Sequence, residues 1–586
     1  MCSNNTGFAR PSFSPLAAHS DHAGVVGDGA GLGVRAPAPA APAPPLLDGF
    51  NETGIPHPDP RNIRRRVFSR QRSRAVLFPL TVQDFLDRAV TVYPERVGIV
   101  DEAQQPAPSW GEVTYADLGR RAAAQAAWLD RLGVPVGGRV AIVSQNSARL
   151  LTSFFGVSGW GRVLVPINFR LTAGEIQYIV GHSGAEVLLI DPELRDLAKE
   201  IGAPHTFVLG EDDEAIWGVG ATQTPEPRPW TADEGATATL NYTSGTTARP
   251  KGVQLTHRNL WLNGAVFGWH AGVTDRDVYL HTLPMFHANG WGMPYAVTAM
   301  GGTHIVLRKV DGTEILRRID RHGVTLMCAA PAVVNAVLDA APAWQGEIPG
   351  RDRARIVVAG APPPTRTIER VRAELGWEFI QLYGLTETSP FLTMNRMRAE
   401  WDDLQPHEQA VQLGRAGAPG LGVRIAIDTG GEVLARSNHN LEAYWDDPEA
   451  TAAAQEDDWF HTGDGGVFED GYLAITDRKK DVIISGGENV SSIEVEDVIT
   501  SHPAVREVAV IGIPDTKWGE LVTALVVTDD TDLTTDDVVA HCRANLASYK
   551  CPKRVEFRTE LPRTATGKLQ KFKLRKPYWE RDGNGG

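Results

Sequence analysis

Between residues 240 and 257 the chain reads LNYTSGTTARPKGVQLTH, which gathers Thr243, Ser244, Gly245, Thr246 and Thr247 and then offers Lys251 ahead of Gly252. Hydroxyls and backbone N–H groups packed around a glycine, with an ammonium group a few residues on, supply what a triphosphate needs. The pattern differs from a Walker loop, in which four residues separate a first glycine from a Gly-Lys-Ser/Thr ending. Here Lys251 follows a proline, and the TGK at 566–568 has Pro562 where that first glycine would stand. A second stretch, LPMFHANGWGMPYAVTAMGGTHIVLR at 283–308, mixes aromatic and small residues around His287 and suggests an apolar slot.

Regular elements must hold these groups. Ala238–Tyr242 reads as a short strand feeding the hydroxyl-rich loop, and a second short strand follows it. Thr114 and Asp117 open a helix whose apolar positions, Leu118, Ala122, Ala126, Leu129 and Leu132, recur at helical spacing until Gly133 supplies the stop. Arg139–Val143 is then a short buried strand. A second helix starts at the Thr172/Glu175 capping box and leads to the strand Glu186–Ile190. Strand, helix and strand at this spacing predict βαβ units and a largely parallel sheet. A second α/β piece follows residue 480, with strands near Glu507–Ile511 and Leu521–Val527.

With 586 residues the chain has room for several cores, and 42% hydrophobic with 22% charged residues is an ordinary globular balance. The net charge of −14 argues against non-specific binding to nucleic acid or anionic lipid, and no apolar run approaches the length of a membrane span. Cys2, Cys328, Cys542 and Cys551 contain no CxxC pair and are too few for a disulfide framework, which fits a reducing, cytoplasmic setting. Residues 1–78 stand apart, with an Ala/Pro alternation at 36–45 and an arginine run at 61–74, and read as a disordered extension. Nine arginines against five carboxylates leave that extension at +4 and the remaining body at −18. Its start lacks the apolar core of a secretory signal.

The loop at 240–257 resembles the signature of the adenylate-forming superfamily, which includes acyl-CoA synthetases, adenylation domains and firefly-type luciferases. Ala248 stands where that signature has glycine. Further motifs of the superfamily recur in order: QLYGLTETSP at 381–390, YWDDPEAT at 444–451, WFHTGD at 459–464, DRKKDVIISGGENVSSIEVE at 477–496, IGIPDTKWGE at 511–520 and PRTATGK at 562–568. The resemblance implies an α/β fold, with a large N-terminal domain of mostly parallel sheets flanked by helices and a small mobile C-terminal α+β domain. The boundaries expected are 79–480 for the large domain, carrying the ATP and acyl sites, and 481–586 for the small one.

It also implies a chemistry. A carboxylate attacks the α-phosphorus of ATP to give acyl-AMP and pyrophosphate, and a thiol then displaces AMP. The first step brings two anions together, so positive charge and orientation matter more than a strong base. By resemblance, Lys568 is the adenylation lysine, while Thr243 and Glu387 lie on the magnesium side, a hard oxygen pair suited to Mg2+. Ser244, Gly245, Thr246, Thr247 and Lys251 would hold the β and γ phosphates, and Thr386 the α-phosphate. Tyr383, within the Tyr383-Gly384 turn, would stack on adenine, with Gly360, Ala361 and Pro362 on the other face and Gln381 nearby. Asp464 would take the ribose hydroxyls with help from Arg478, and Lys480 would be the hinge.

After rotation, Gly487 would line the narrow part of a pantetheine tunnel for coenzyme A. Trp518 either meets the CoA nucleotide or is a buried structural tryptophan. His287 is either the pocket histidine beside the reacting carboxylate or a satisfied core histidine. Around it, PMFHxNxW followed by PYA resembles bacterial medium- and long-chain fatty-acyl-CoA synthetases, in which the tryptophan matching Trp291 gates the alkyl tunnel. No acidic residue is evident to receive an amino group, which weighs against amino-acid adenylation. The expectation is therefore an ATP-dependent fatty-acid–CoA ligase acting on a fatty acid and CoA, with a homodimer left open. An aryl-CoA ligase and an acyl-AMP ligase loading a carrier protein are the alternatives within the superfamily. A non-catalytic acyl-AMP sensor is the alternative outside enzymes.

Overall fold

The computed structural model describes residues 78–219, 226–243, 249–478, 481–564 and 568–581. The extension read over 1–78 lies outside the described residues except for Phe78. Helix starts follow the local chemistry of the sequence. The Thr114 side chain accepts from the Asp117 N–H to open the helix Tyr115–Arg131, although the reciprocal bond of a full capping box is not made there. Thr172 and Glu175 do make both bonds ahead of Ala173–Ser183.

Among the described residues, the large N-terminal domain carries a nine-stranded and a seven-stranded sheet. In the first, Val97–Val100, Thr303–Val306, Val278–His281, Leu326–Ala329, Arg355–Val358 and Glu378–Tyr383 run parallel side by side, and antiparallel strands close the edges. In the second, Thr237–Thr243, Val163–Ile167, Arg139–Val143, Val187–Ile190 and His205–Val208 are parallel. Their centres are buried on both faces, so Val187–Ile190 reads VLLI without alternation.

Residues 424–478 depart from the mostly parallel expectation. Arg424–Ile427, Glu432–Arg436, Gln455–Glu456, Trp459–Glu469 and Tyr472–Arg478 form a five-stranded antiparallel sheet. The cause is local. Asp470 and Gly471 both have positive φ in a two-residue hairpin loop, and a tight Asp428–Gly431 turn joins the first pair. Hairpins of this length permit only antiparallel return.

The small C-terminal domain is built on Ile483–Ser485, Glu488–Val490, Glu507–Asp515, Gly519–Val527 and Arg554–Arg558. All its pairs are antiparallel except Gly519–Val527 with Arg554–Arg558. The helix Ser492–Thr500 contributes Val495 and Ile499 to the core beneath.

Candidate active site

Register places the polar groups. Thr243 and Lys251 face each other across the last pair of the hairpin Thr237–Thr243/Lys251–Thr256, so the loop between them leaves from one point. Ser244, Gly245, Thr246, Thr247 and Ala248, like Lys480, lie outside the described residues. Asp464 and Arg478 are likewise direct partners across two antiparallel strands, with Arg478 Nε 3.3 Å from Asp464 Oδ1. The Tyr383 hydroxyl donates to Asp464 Oδ2 at 2.9 Å. Tyr383 ends a parallel strand at its carboxyl edge, where ligand sites of α/β sheets gather. At Gly384 a Cβ would sit 1.5 Å from the Pro390 carbonyl oxygen, so the turn after Tyr383 admits no side chain.

Lys568 reaches this place from the C-terminal domain. Its backbone is bonded to Thr564: Thr564 N–H donates to Lys568 O at 2.7 Å, and Lys568 N–H donates to Thr564 Oγ1 at 3.0 Å. A Cβ on Gly360 would lie 3.2 Å from Lys568 Cε. One cavity is lined by Thr243, Lys251, His287, Glu387, Asp464, Arg478 and Lys568. Gly360, Ala361, Pro362, Gln381, Tyr383, Gly384 and Thr386 line the same cavity. The Gln381 amide oxygen is buried and has no hydrogen-bond partner among the described residues, which leaves an acceptor in the wall.

The electrostatics follow from burial and these neighbours. Burial, with Arg478 nearby, pulls Lys568 down to about 8, against the opposing effect of Asp464 and Glu387. Burial, reinforced by Lys568, takes the His287 imidazole down to about 3, so it is neutral near pH 7. Burial raises Glu387 despite a hydrogen bond from Tyr444. His287 is followed by a left-handed turn: Ala288, Asn289, Gly290, Trp291 and Gly292 all have positive φ. Such backbone costs about 1–2 kcal/mol per non-glycine residue, a strain found where a side chain must be aimed.

Trp291 does not line this cavity. It is 4% exposed and packs in a core with Phe267, Leu283, Met293 and Phe391. Gly487 and Trp518 also stand outside the lining; Trp518 is half-buried in the C-terminal domain and packs over Gly486.

Tyr444 was not singled out from sequence. Its hydroxyl donates to Glu387 Oε1 at 3.0 Å, and Lys251 Nζ lies 4.8 Å from its ring centre. It thus joins the Lys251 cation to the Glu387 carboxylate, and it is the first residue of the YWDDPEAT motif, which was the available signal. Tyr444→Phe keeps the ring and loses the hydrogen bond. The expected result is a fall of about tenfold in catalytic rate, on the scale of one bond to a charged group, together with a higher magnesium requirement. Steady-state rates over a magnesium titration check this; an unchanged magnesium dependence would remove Tyr444 from the site.

Sequence comparison aligns residues 86–445 with the family described as AMP-binding enzyme and residues 494–568 with the AMP-binding enzyme C-terminal domain. The chain is 38% identical over 540 residues to the 2-methylpropanoate–CoA ligase CCL4 of Humulus lupulus, covering 85% of this chain and 95% of that one. Among solved structures it is similar to the anthranilate CoA ligase AuaEII in complex with anthranoyl-AMP, with a TM-score of 0.76 and 26% identity over 86% of this chain and 99% of that one. It is also similar to a Mycobacterium tuberculosis fatty acyl CoA synthetase, with a TM-score of 0.65 and 32% identity over 86% and 99%.

Proposed function

We propose, from the premise that this chain belongs to the AMP-binding enzyme family, that it is an ATP-dependent acid–CoA ligase. The observation that carries this reading is the convergence of Lys568 with Glu387, Asp464 and Arg478 in one cavity beside neutral His287. A carboxylate oxygen attacks the α-phosphorus, the bond to pyrophosphate breaks, and the CoA sulfur later attacks the acyl carbon, releasing AMP. Lys568 donates to the anionic oxygens as they approach. His287 offers a neutral ring to the carboxylate end of the acid. Asp464 accepts from the ribose, and Tyr383 gives adenine a flat wall.

Thr243 and Glu387 would hold magnesium, a hard ion that neutralises phosphate charge. One carboxylate and one hydroxyl fit an ion that keeps several waters and binds through substrate phosphates. Among the described residues no group of three or more His, Cys, Asp or Glu is arranged as a metal site. No described helix is long and apolar enough to cross a membrane. Cys328, Cys542 and Cys551 are free and buried, which is compatible with a reducing setting.

The domain boundary at 480/481, with Lys480 as hinge, belongs to the same proposal. In the second state Gly487 lines the route of the pantetheine arm and Trp518 meets the nucleotide of CoA. For the acid, the packed setting of Trp291 favours a compact acyl group, short, branched or aromatic, over the medium or long fatty chain expected from sequence; a long chain would require that ring to leave its core. A panel of straight-chain, branched and aromatic acids with ATP and magnesium, run with and without CoA and scored for AMP release, tests both points. Release that requires CoA and declines beyond short chains supports the compact pocket. Rates that rise through medium and long chains support the fatty tunnel, and no release with any acid overturns the ligase.

The protonation of Lys568 gives a pH signature. The group is depressed from 10.5 to about 8, so its ammonium form is present below that value and lost above it. The expected kcat/KM for ATP in pyrophosphate exchange is level below pH 8 and falls as pH rises through it, because this ratio reports the free enzyme. A ratio level to pH 9.5 would contradict the role.

A further inference from the structure

We infer that Asp497 is a positioning residue for adenylation, locking the C-terminal domain in the state that presents Lys568. This rests on the ligase reading above. Asp497 belongs to the helix Ser492–Thr500 of the C-terminal domain, yet both its oxygens are engaged by the large domain. Thr365 N–H donates to Oδ1 at 2.9 Å and Thr365 Oγ1 donates to Oδ2 at 3.1 Å. Asp497 thereby satisfies a backbone N–H at the start of the helix Thr365–Arg370, in the way an N-cap would, but from another domain. Next to it, Arg366 Nη1 donates to the His502 carbonyl at 3.0 Å.

Both ends of this contact lead to the reacting centre. On the large-domain side, Pro362, Pro363 and Pro364 separate Thr365 from the turn at Gly360 that faces Lys568. Three fixed φ angles make that connection stiff. On the other side, the neighbouring Glu496 pairs with Lys571 Nζ at 2.7 Å, three residues beyond Lys568, and Lys571 also donates to Ser492 Oγ at 2.5 Å. Glu496 in addition accepts from Val510 N–H at 2.7 Å, fixing the helix to its own sheet. Shifting the helix therefore shifts Lys568. The contacts of Asp497 and Arg366 cross between the domains, and those of Glu496 and Lys571 lie within the C-terminal one.

Losing the Asp497 contacts should reduce the population of the adenylation state without altering the chemistry within it. In the full chain, Asp497→Ala is expected to slow acyl-AMP formation from ATP with hexanoate or benzoate by about 5- to 30-fold, the scale of two part-buried hydrogen bonds that each contribute an ordinary net amount. Thioester formation from preformed acyl-AMP and CoA should stay equal or become faster. Thr365→Val probes the same contact from the other domain and should give a smaller loss. The double variant should be no worse than Asp497→Ala alone, because the two share one interaction. Asp497→Asn, which retains an acceptor for the Thr365 N–H, should recover most of the rate.

An equal fall in both half-reactions, an unchanged adenylation rate, or additive losses in the double variant would overturn the lock. If the unaltered chain performs neither half-reaction, the ligase reading has failed instead, so the two failures are distinguishable.

Discussion

Lys568→Ala is expected to lower the rate of acyl-AMP formation by about two to three orders of magnitude, the scale of removing one transition-state donor. The loss should be selective. Lys568 shares its cavity with Glu387, Asp464 and Arg478, and in the proposed reaction its ammonium would meet the incoming carboxylate and the α-phosphate. The first half-reaction compresses like charges, whereas the second needs only a thiol and an activated acyl group. A CoA thiol with the ordinary cysteine-like pKa near 8.5 is already a few per cent ionised at neutral pH. Supplied with synthetic acyl-AMP and CoA, the variant should make thioester at close to the normal rate. Single-turnover measurements of each step separate the outcomes, and parallel losses in both would place Lys568 in a purely structural role.

The second large effect runs the other way. Gly487→Leu should leave acyl-AMP formation within a fewfold of normal and abolish detectable thioester release. In the present state nothing lies within 4 Å of the position a Cβ would take at Gly487, so a side chain leaves the backbone there into open space, and Gly487 does not line the cavity that holds Lys568. After rotation the same side chain would fill the route of the pantetheine arm. Gly487 has φ +87°, so any side chain also strains the backbone there. Gly487→Ala carries the same strain with little bulk and is the control: it should retain substantial thioester synthesis. Rapid-quench detection of accumulated acyl-AMP measures the block. Thioester release from Gly487→Leu at the normal rate would exclude this segment from the route.

Much of this architecture can be read from sequence because local chemistry and global fold agree. The capping pair Thr172/Glu175, the buried run Val187–Ile190 and the strand leading into Thr243 all occupy the elements their residues favour. The antiparallel sheet over 424–478 was legible in principle, since Asp470-Gly471 is a hairpin signal, but its long strand Trp459–Glu469 carries three glycines and no clean two-residue alternation, and Gln455–Glu456 is only two residues, so periodicity does not mark it.

The site divides in the same way. Lys568, Asp464 and Glu387 come from motifs and prove to share one cavity although about a hundred residues separate the first two. The Tyr444 bond to Glu387 and the Asp497 bond to Thr365 join segments 57 and 132 residues apart. Nothing in either segment alone announces such a contact. Trp291 is a different case: its motif suggests a tunnel gate, and what the structure adds is that the indole sits in packed core beside a left-handed turn, a setting the motif alone does not reveal.

The central claim is that the C-terminal domain brings an ammonium group to a nucleotide held by the large domain, so that a carboxylate becomes an acyl adenylate. ATP–pyrophosphate exchange by the full chain, without CoA, tests it most directly. The account predicts exchange that requires both a carboxylic acid and magnesium and that collapses in Lys568→Ala. Exchange that persists undiminished in that variant, or its absence from the unaltered protein across aliphatic and aromatic acids, would contradict it.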